Sequence, residues 1–514
     1  MESVILSKEN IGELQGKEIY CWGLVRNYLR EMFQEFNLEE NITAILDNSL
    51  KAHGVVTIEE KEIEVVSPEI LMEINESDFV IIITCDYTEE ILAQIIERGY
   101  LQGKNCKILR FATKREKFDL YYRKLYEKQE LENVIIFRSG PLRRAHIKGA
   151  DFFDNSRALF EYMLKHNYNQ KYKLVWLVKN PEEFKQYSTM ENVEFLSFDW
   201  EDSESKEERD KYYHAICLAK YIFTTDTYEF ARNSRKDQIR IQLWHGCGFK
   251  TRVTFLPCET RYDYTTVVSD VYADIHADIY GLRKDQVIVT GYAKHDWLFQ
   301  PYDGDLSEIL GIKKASKYIF WLPTFRMADD RIGNLSQYEI NPETGLPIVM
   351  NQEQLEKLNK LLKELDVTII VKLHPFQKNT LVKDYEYSNI AIIKNQDLIE
   401  KDLVINRLLA SADALISDYS STAVDFLVLD RPMGFTLDDI KEYENSRGFV
   451  FDNIRDWLPG KEIFHFEDFC KFIQEIANGE DLEKEKRSRI SQKLLKYKDN
   501  QNCKRILDAF GICQ

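Results

Sequence analysis

Two histidines in this chain stand where apolar runs end. Ile239 to Trp244 reads as a strand and leads into His245-Gly246-Cys247-Gly248-Phe249-Lys250. An imidazole titrates near neutral pH and can take a proton from an attacking hydroxyl, so His245 is the candidate general base. The glycines beside it let a substrate approach the backbone, and Lys250 follows one turn on. The second histidine, His374, closes the strand Thr368 to Leu373 within Lys372-Leu373-His374-Pro375. Tyr318 to Leu322 ends similarly in Pro323-Thr324-Phe325-Arg326, where the Arg326 guanidinium is a fork suited to phosphate.

A further strand, Ala414 to Ile416, runs into the polar turn Ser417-Asp418-Tyr419-Ser420-Ser421. Apolar residues at helical spacing follow: Ala423, Val424, Phe426, Leu427, Val428 and Leu429. Strand, hydroxyl-rich turn and helix gather backbone N–H groups and the positive end of a helix dipole, an arrangement that binds phosphate. Asp226 lies just past the strand Tyr221 to Thr224. Gly291-Tyr292-Ala293-Lys294-His295-Asp296 follows the strand Gln286 to Thr290. Parallel α/β sheets keep their functional residues at such strand ends.

The elements that position these residues alternate strand and helix, which predicts an α/β fold with parallel sheets. With 514 residues the chain is too long for one core, and three domains are expected: 1–128, 133–300 and 301–514. The first resembles a dinucleotide-binding fold, with Gly23 after the first strand and Asp47 after the second. The glycine fingerprint fails, because Val25 and Tyr28 occupy the positions of its second and third glycines. A structural or docking role is the better reading there. Residues 107–128 carry eight lysines and arginines against three acids, with Phe118, Tyr121, Tyr122 and Leu125 on one helical face. This helix reads first as a connector packed between domains, and second as an interfacial helix on anionic lipid. Residues 328–348 read as an irregular loop over the site, and the stretch from Leu482 as a charged amphipathic helix that crosses back to the preceding lobe.

Net charge is −17, which argues against wholesale binding to nucleic acid. Nine cysteines with no Cys-x-x-Cys pair suggest reduced thiols and neither a zinc nor a redox motif. No apolar run has the length of a membrane span, and the N-terminus does not read as a signal peptide. A cytoplasmic protein, peripheral to the inner membrane face, is expected.

Taken together and in order, Trp244-His245-Gly246-x-x-x-Lys250, Pro323-Thr324-Phe325-Arg326, Lys372-Leu373-His374-Pro375 and Ser417-Asp418-Tyr419-Ser420-Ser421-x-x-x-Asp425-Phe426 resemble the CDP-glycerol glycerophosphotransferase family of teichoic acid and capsule synthesis. Asp154-Asn155-Ser156-Arg157, Gly291-Tyr292 with Asp296, and Arg447-Gly448-Phe449 fit the same pattern. The resemblance covers about residues 133 to 475. It implies a GT-B architecture of two Rossmann-like lobes, preceded here by a separate small Rossmann-like domain. It implies transfer of a polyol phosphate, glycerol phosphate foremost, from a CDP-glycerol or CDP-ribitol donor to a lipid-linked or polymer acceptor, with release of CMP. His245 would be the base. Arg326, His374, Ser420 and Ser421 would hold the diphosphate, with Thr324, Lys372 and Asp418 beside them. Lys250, Asp226 and Asp296 would lie on the acceptor side. No metal or other cofactor is expected. Cys247-Gly248-Phe249 and Ala293-Lys294-His295 depart from the family's usual residues. The rival readings are a GT-B glycosyltransferase using a nucleotide sugar and a non-catalytic scaffold for envelope assembly.

Overall fold

The computed structural model describes residues 4–49, 52–74, 79–85, 87–140, 151–187, 189–198, 205–225, 235–251, 262–324, 344–372 and 387–514. The chain divides into two compact units, Met1–Lys128 and Gln129–Gln514.

The first unit holds β1 (Val4–Ile5), β2 (Glu18–Trp22), β3 (Ile42–Leu46), β4 (Gly54–Ile58), β5 (Lys61–Val66), β6 (Phe79–Ile83) and β7 (Cys106–Arg110). Their order is β1-β7-β6-β2-β3-β5-β4, parallel except for the β4–β5 hairpin. A run such as Phe79-Val80-Ile81-Ile82-Ile83 is apolar at every position because both faces of a parallel sheet are covered. Val80 and Ile82 enter one core, Phe79, Ile81 and Ile83 the other. The order reverses between β2 and β6, where an open α/β sheet offers its crevice. There Gly23 (φ 110°) packs against Cys85, and a Cβ would stand 2.7 Å from its sulfur. The Asp47 carboxylate accepts from Leu24 N at 3.2 Å and Ser49 N at 2.9 Å, so it secures the turn. On the helix Lys114–Tyr126, Tyr122 is buried while Tyr121 is 60% and Leu125 49% exposed. The aromatic face read from the sequence is therefore split.

The second unit holds two parallel sheets. One contains β8 (Glu132–Ser139), β9 (Lys173–Val178), β10 (Val193–Ser197), β11 (Ala219–Thr225), β12 (Ile239–Gln242), β13 (Tyr264–Val267) and β14 (Val287–Val289), in the order β10-β9-β8-β11-β12-β13-β14. The other contains β15 (Lys317–Trp321), β16 (Val367–Lys372), β17 (Ile390–Ile393), β18 (Ala414–Ser417), β19 (Met433–Thr436) and β20 (Lys461–Ile463), in the order β17-β16-β15-β18-β19-β20. This second order is the doubly wound Rossmann order, with its reversal between β15 and β18. Phe249, Val267, Tyr272 and Leu298 share one core with Phe320, Leu415 and Phe435. The two lobes therefore meet through apolar packing, as a GT-B pair.

Two expectations change. The C-terminal stretch forms two helices, Lys484–Leu494 and Asn502–Ala509, and Cys503, Ile506 and Leu507 of the latter enter the core beside Phe137, Trp176 and Trp297. Of the anticipated loop 328–348, residues 328–343 lie outside the described residues. Leu346 and Ile348 are core residues packed with Trp321 and Phe469.

Candidate functional site

The turn 417–421 forms where β15 and β18 end next to one another. Asp418 is fully buried, and its carboxylate accepts from Thr324 N at 2.7 Å and from the Thr324 hydroxyl. Asp418 and Thr324 thus tie the two strand ends together. Tyr419 is also fully buried. Its hydroxyl donates to Asp439 at 3.1 Å, and its ring packs on Tyr443 and Phe449. Only Ser420 and Ser421 remain half-buried at the turn. The Ser420 hydroxyl accepts from Thr422 N at 3.3 Å. The helix that follows, Thr422–Phe426, has five residues before a 3-10 turn at Leu427–Leu429. Its dipole is correspondingly shorter than the apolar run 423–429 suggested, and the serine hydroxyls carry more of the polar character.

The first lobe supplies the facing loop. After β12 the chain turns sharply. Trp244 has φ 57°, left-handed backbone that costs a bulky residue about 1–3 kcal/mol. Its amide donates to Gln242 Oε1 at 3.0 Å, and its carbonyl accepts from Asn155 Nδ2 at 2.9 Å. The Trp244 ring stacks on His245 at 4.7 Å and meets Tyr280 edge-on at 4.9 Å. Beyond His245 the loop is stitched into the second lobe. Val450 N donates to Phe249 O at 2.9 Å and Thr251 N to Gly448 O at 3.2 Å, while Lys250 forms an antiparallel bridge with Phe449. Gly246 and Gly248 are glycine because Ser421 lies against them. A Cβ on Gly246 would stand 2.6 Å from the Ser421 hydroxyl, and one on Gly248 3.2 Å from the Ser421 Cβ.

The segment after β14 is no open loop. Ala293–Phe299 is a 3-10 helix whose first residues are buried. Asp296 accepts from Asn502 N at 2.9 Å, Asn502 Nδ2 at 2.8 Å and Cys503 N at 2.9 Å. It anchors the start of the last helix. Lys294 and His295 are likewise buried. Lys294 Nζ lies 3.0 Å from Asp425 Oδ2 and 3.5 Å from Asp154 Oδ2, and donates to His245 O at 2.7 Å. His295 Nε2 lies 2.8 Å from Asp425 Oδ1. Burial raises the Asp425 pKa, but Lys294 and His295 outweigh it and hold the carboxyl below its usual range. The unusual residues at 294 and 295 thus form an ion-pair cluster between lobes. Asp425, Lys294 and Asn155 were not singled out as site residues from sequence, although Asp425 is a charge inside an otherwise apolar helical run.

Lys372 ends β16 half-buried, and burial lowers its ammonium to about 8. A cation so placed gains most from an anionic ligand. His276, buried beneath Trp244, is pushed down to about 3 by burial and by His245 nearby, so it is neutral at physiological pH. Burial pushes the Cys247 thiol up to about 12, although Tyr292, at 2.9 Å, bonds it. Among the candidates, Arg326, His374 and Asp226 lie outside the described residues. Among the described candidates, the glycines that follow His245 meet Ser421. Among the described residues no group of three or more histidines, cysteines, aspartates or glutamates is arranged to hold a metal ion.

Residues 120–510 match the model of the CDP-glycerol:poly(glycerophosphate) glycerophosphotransferase family. The chain is 25% identical to the teichoic acid ribitol-phosphate polymerase TarL of Staphylococcus aureus, over 95% of this chain and 82% of that protein. It is 28% identical to the teichoic acid glycerol-phosphate primase of Bacillus subtilis, over 56% of this chain and 72% of the relative. The structure of the wall teichoic acid polymerase TagF superposes with a TM-score of 0.57 at 22% identity, covering 77% of this chain and 93% of that one, which is a likeness of fold.

Proposed function

The chain belongs to the CDP-glycerol:poly(glycerophosphate) glycerophosphotransferase family, and on that premise we propose how it works. The enzyme transfers a polyol phosphate from a CDP-activated donor to a hydroxyl acceptor in teichoic acid synthesis and releases CMP. Glycerol phosphate is the unit we assign, and the acceptor is a lipid-linked or growing polymer. The acceptor oxygen attacks the polyol-side phosphorus of the donor. The bond from that phosphorus to the CMP oxygen breaks, CMP leaves with the electron pair, and the acceptor proton passes to His245. Such transfer chiefly needs positioning and neutralised charge. Arg326, His374 and Lys372, with the hydroxyls of Ser420 and Ser421, are assigned to the donor diphosphate. The observation that carries this reading is the contact between the His245 loop of one lobe and Ser421 of the other.

Purified full chain is tested with CDP-glycerol, CDP-ribitol and UDP-sugars in the presence of poly(glycerol phosphate) or poly(ribitol phosphate) oligomers. CMP release is expected, and His245→Ala should lower it about 10²–10⁴-fold. UDP release in its place would make the protein a glycosyltransferase. No turnover of any donor would favour a scaffold. Metal is not required in this scheme, so turnover should survive thorough chelation, and a reproducible metal requirement would refute that part.

The acceptor also implies contact with a membrane. No helix among the described residues is long and apolar enough to cross one. The helix Lys114–Tyr126 exposes Leu120, Tyr121 and Leu125 beside Lys114 and Lys124, a pairing of apolar and cationic groups suited to the surface of anionic lipid. Co-flotation with anionic but not neutral vesicles, weakened by Tyr121→Glu with Leu125→Glu, is the expected result. Equal behaviour of the two proteins would remove this helix from membrane contact.

A further inference from the structure

A strained backbone stays strained only while its surroundings hold it. The left-handed turn at Trp244 aims the next residue, His245, and two successive carbonyls of that turn are taken by side chains. Asn155 Nδ2 donates to Trp244 O at 2.9 Å, and Lys294 Nζ to His245 O at 2.7 Å. These two side chains belong to one unit, because Lys294 N donates to Asn155 Oδ1 at 3.0 Å.

The ammonium has three protons and three acceptors around it: His245 O, Asp425 at 3.0 Å and Asp154 at 3.5 Å. Lys294 is 5% and Asp425 3% exposed. A charge buried so deeply is tolerated only when paired and hydrogen-bonded, so the carboxylates fix where the ammonium sits. The other Asp425 oxygen is held by His295 at 2.8 Å, which leaves the carboxylate no freedom to turn away. Asp425 and Ser421 lie one helical turn apart. Ser421 presses on Gly246 while Asp425, through Lys294, holds His245 O. The base-bearing loop is therefore held at two neighbouring points, His245 O and Gly246, by the turn assigned to the donor and the segment that follows it.

We propose that Lys294 is a positioning residue for His245, with Asp425 as the counter-charge that couples it to the donor-side turn. The inference rests on the reading of His245 as the base. Without the ammonium, the His245–Gly246 peptide loses the donor that fixes its carbonyl, the strained turn before it relaxes and the imidazole swings off the acceptor proton, while the donor site stays intact. Misplacement of a catalytic group by about 1 Å can lower turnover about 10²-fold.

The test compares full-length Lys294→Met, Lys294→Arg, Asp425→Asn and His245→Ala, measuring kcat and KM with CDP-glycerol and the CDP-glycerol Kd by calorimetry. Lys294→Met should lose about 10- to 100-fold in kcat with donor Kd changed less than about threefold, and Lys294→Arg should recover most of the loss. Asp425→Asn should fall between. Unchanged kcat in Lys294→Met overturns the proposal. So does a parallel loss of donor affinity that arginine fails to rescue, since that is the signature of general unfolding. If Lys294→Met does not fold, Lys294→Gln, which keeps a donor without the charge, is judged by its kcat against the same unchanged Kd. If His245→Ala turns over normally, the base reading and this inference fall together. If His245→Ala is inactive and Lys294→Met is not, only this inference falls.

Discussion

Gly246 and Ser421 touch across the two lobes so closely that a methyl group on the glycine would lie 2.6 Å from the serine hydroxyl and 2.8 Å from its Cβ. The clash falls on Cβ as well as on the oxygen. Gly246→Ala should therefore cost about 1–3 kcal/mol of stability through overpacking and lower turnover at least tenfold by parting the lobes. Ser421→Ala, which removes only the hydroxyl contact, should give less relief in that background than Ser421→Gly, which removes both contacts. Thermal melting of the single and double variants checks this order.

The assignment of Lys372 to the donor diphosphate predicts a pH dependence of donor binding. Burial lowers its pKa from 10.5 to about 8, so between those values the unfolded chain binds more protons than the folded one. Stability of the unliganded protein should accordingly rise with pH across that window. Donor binding should run the other way, because the diphosphate needs the ammonium. Affinity for CDP-glycerol should be level below pH 8 and about tenfold weaker at pH 9. Lys372→Arg should flatten the profile, and Lys372→Met should be weak at every pH. Calorimetric titrations at several pH values decide it.

Asp296 holds the start of the helix Asn502–Ala509 through three hydrogen bonds. Removing a buried charged acceptor leaves those N–H groups unpaired, so Asp296→Ala should cost about 2–4 kcal/mol. Its kcat at a permissive temperature should stay within about threefold of the parent. A melting scan with kinetics below the transition separates this anchoring role from one in the reaction.

Thiol chemistry separates the cysteines by burial. Cys513 is exposed, whereas Cys247 is buried and its thiol is pushed up to about 12. Iodoacetamide at neutral pH should label Cys513 and leave Cys247 untouched until the protein unfolds, because only thiolates react appreciably. Peptide mass mapping before and after denaturation measures it.

How much of this was legible beforehand follows the range of the forces involved. Apolar runs such as Phe79–Ile83, with turns after them, mark parallel strands locally, because each run must satisfy the two faces of its own sheet. Strand-end placement singled out His245, Ser420 and Ser421 for the same reason, since the C-terminal edge of a parallel sheet is where side chains can converge. The sequence by itself therefore determined the α/β class and the family's motifs. Tertiary structure alone decided what each polar side chain beyond the strand ends does. Asp418 closes on Thr324, Asp296 on Asn502, and Asp425 on Lys294 and His295, each a partner far away along the chain. A buried carboxylate must find a donor or a cation, but local sequence does not say which one. The packing of two lobes around a shared core makes that choice.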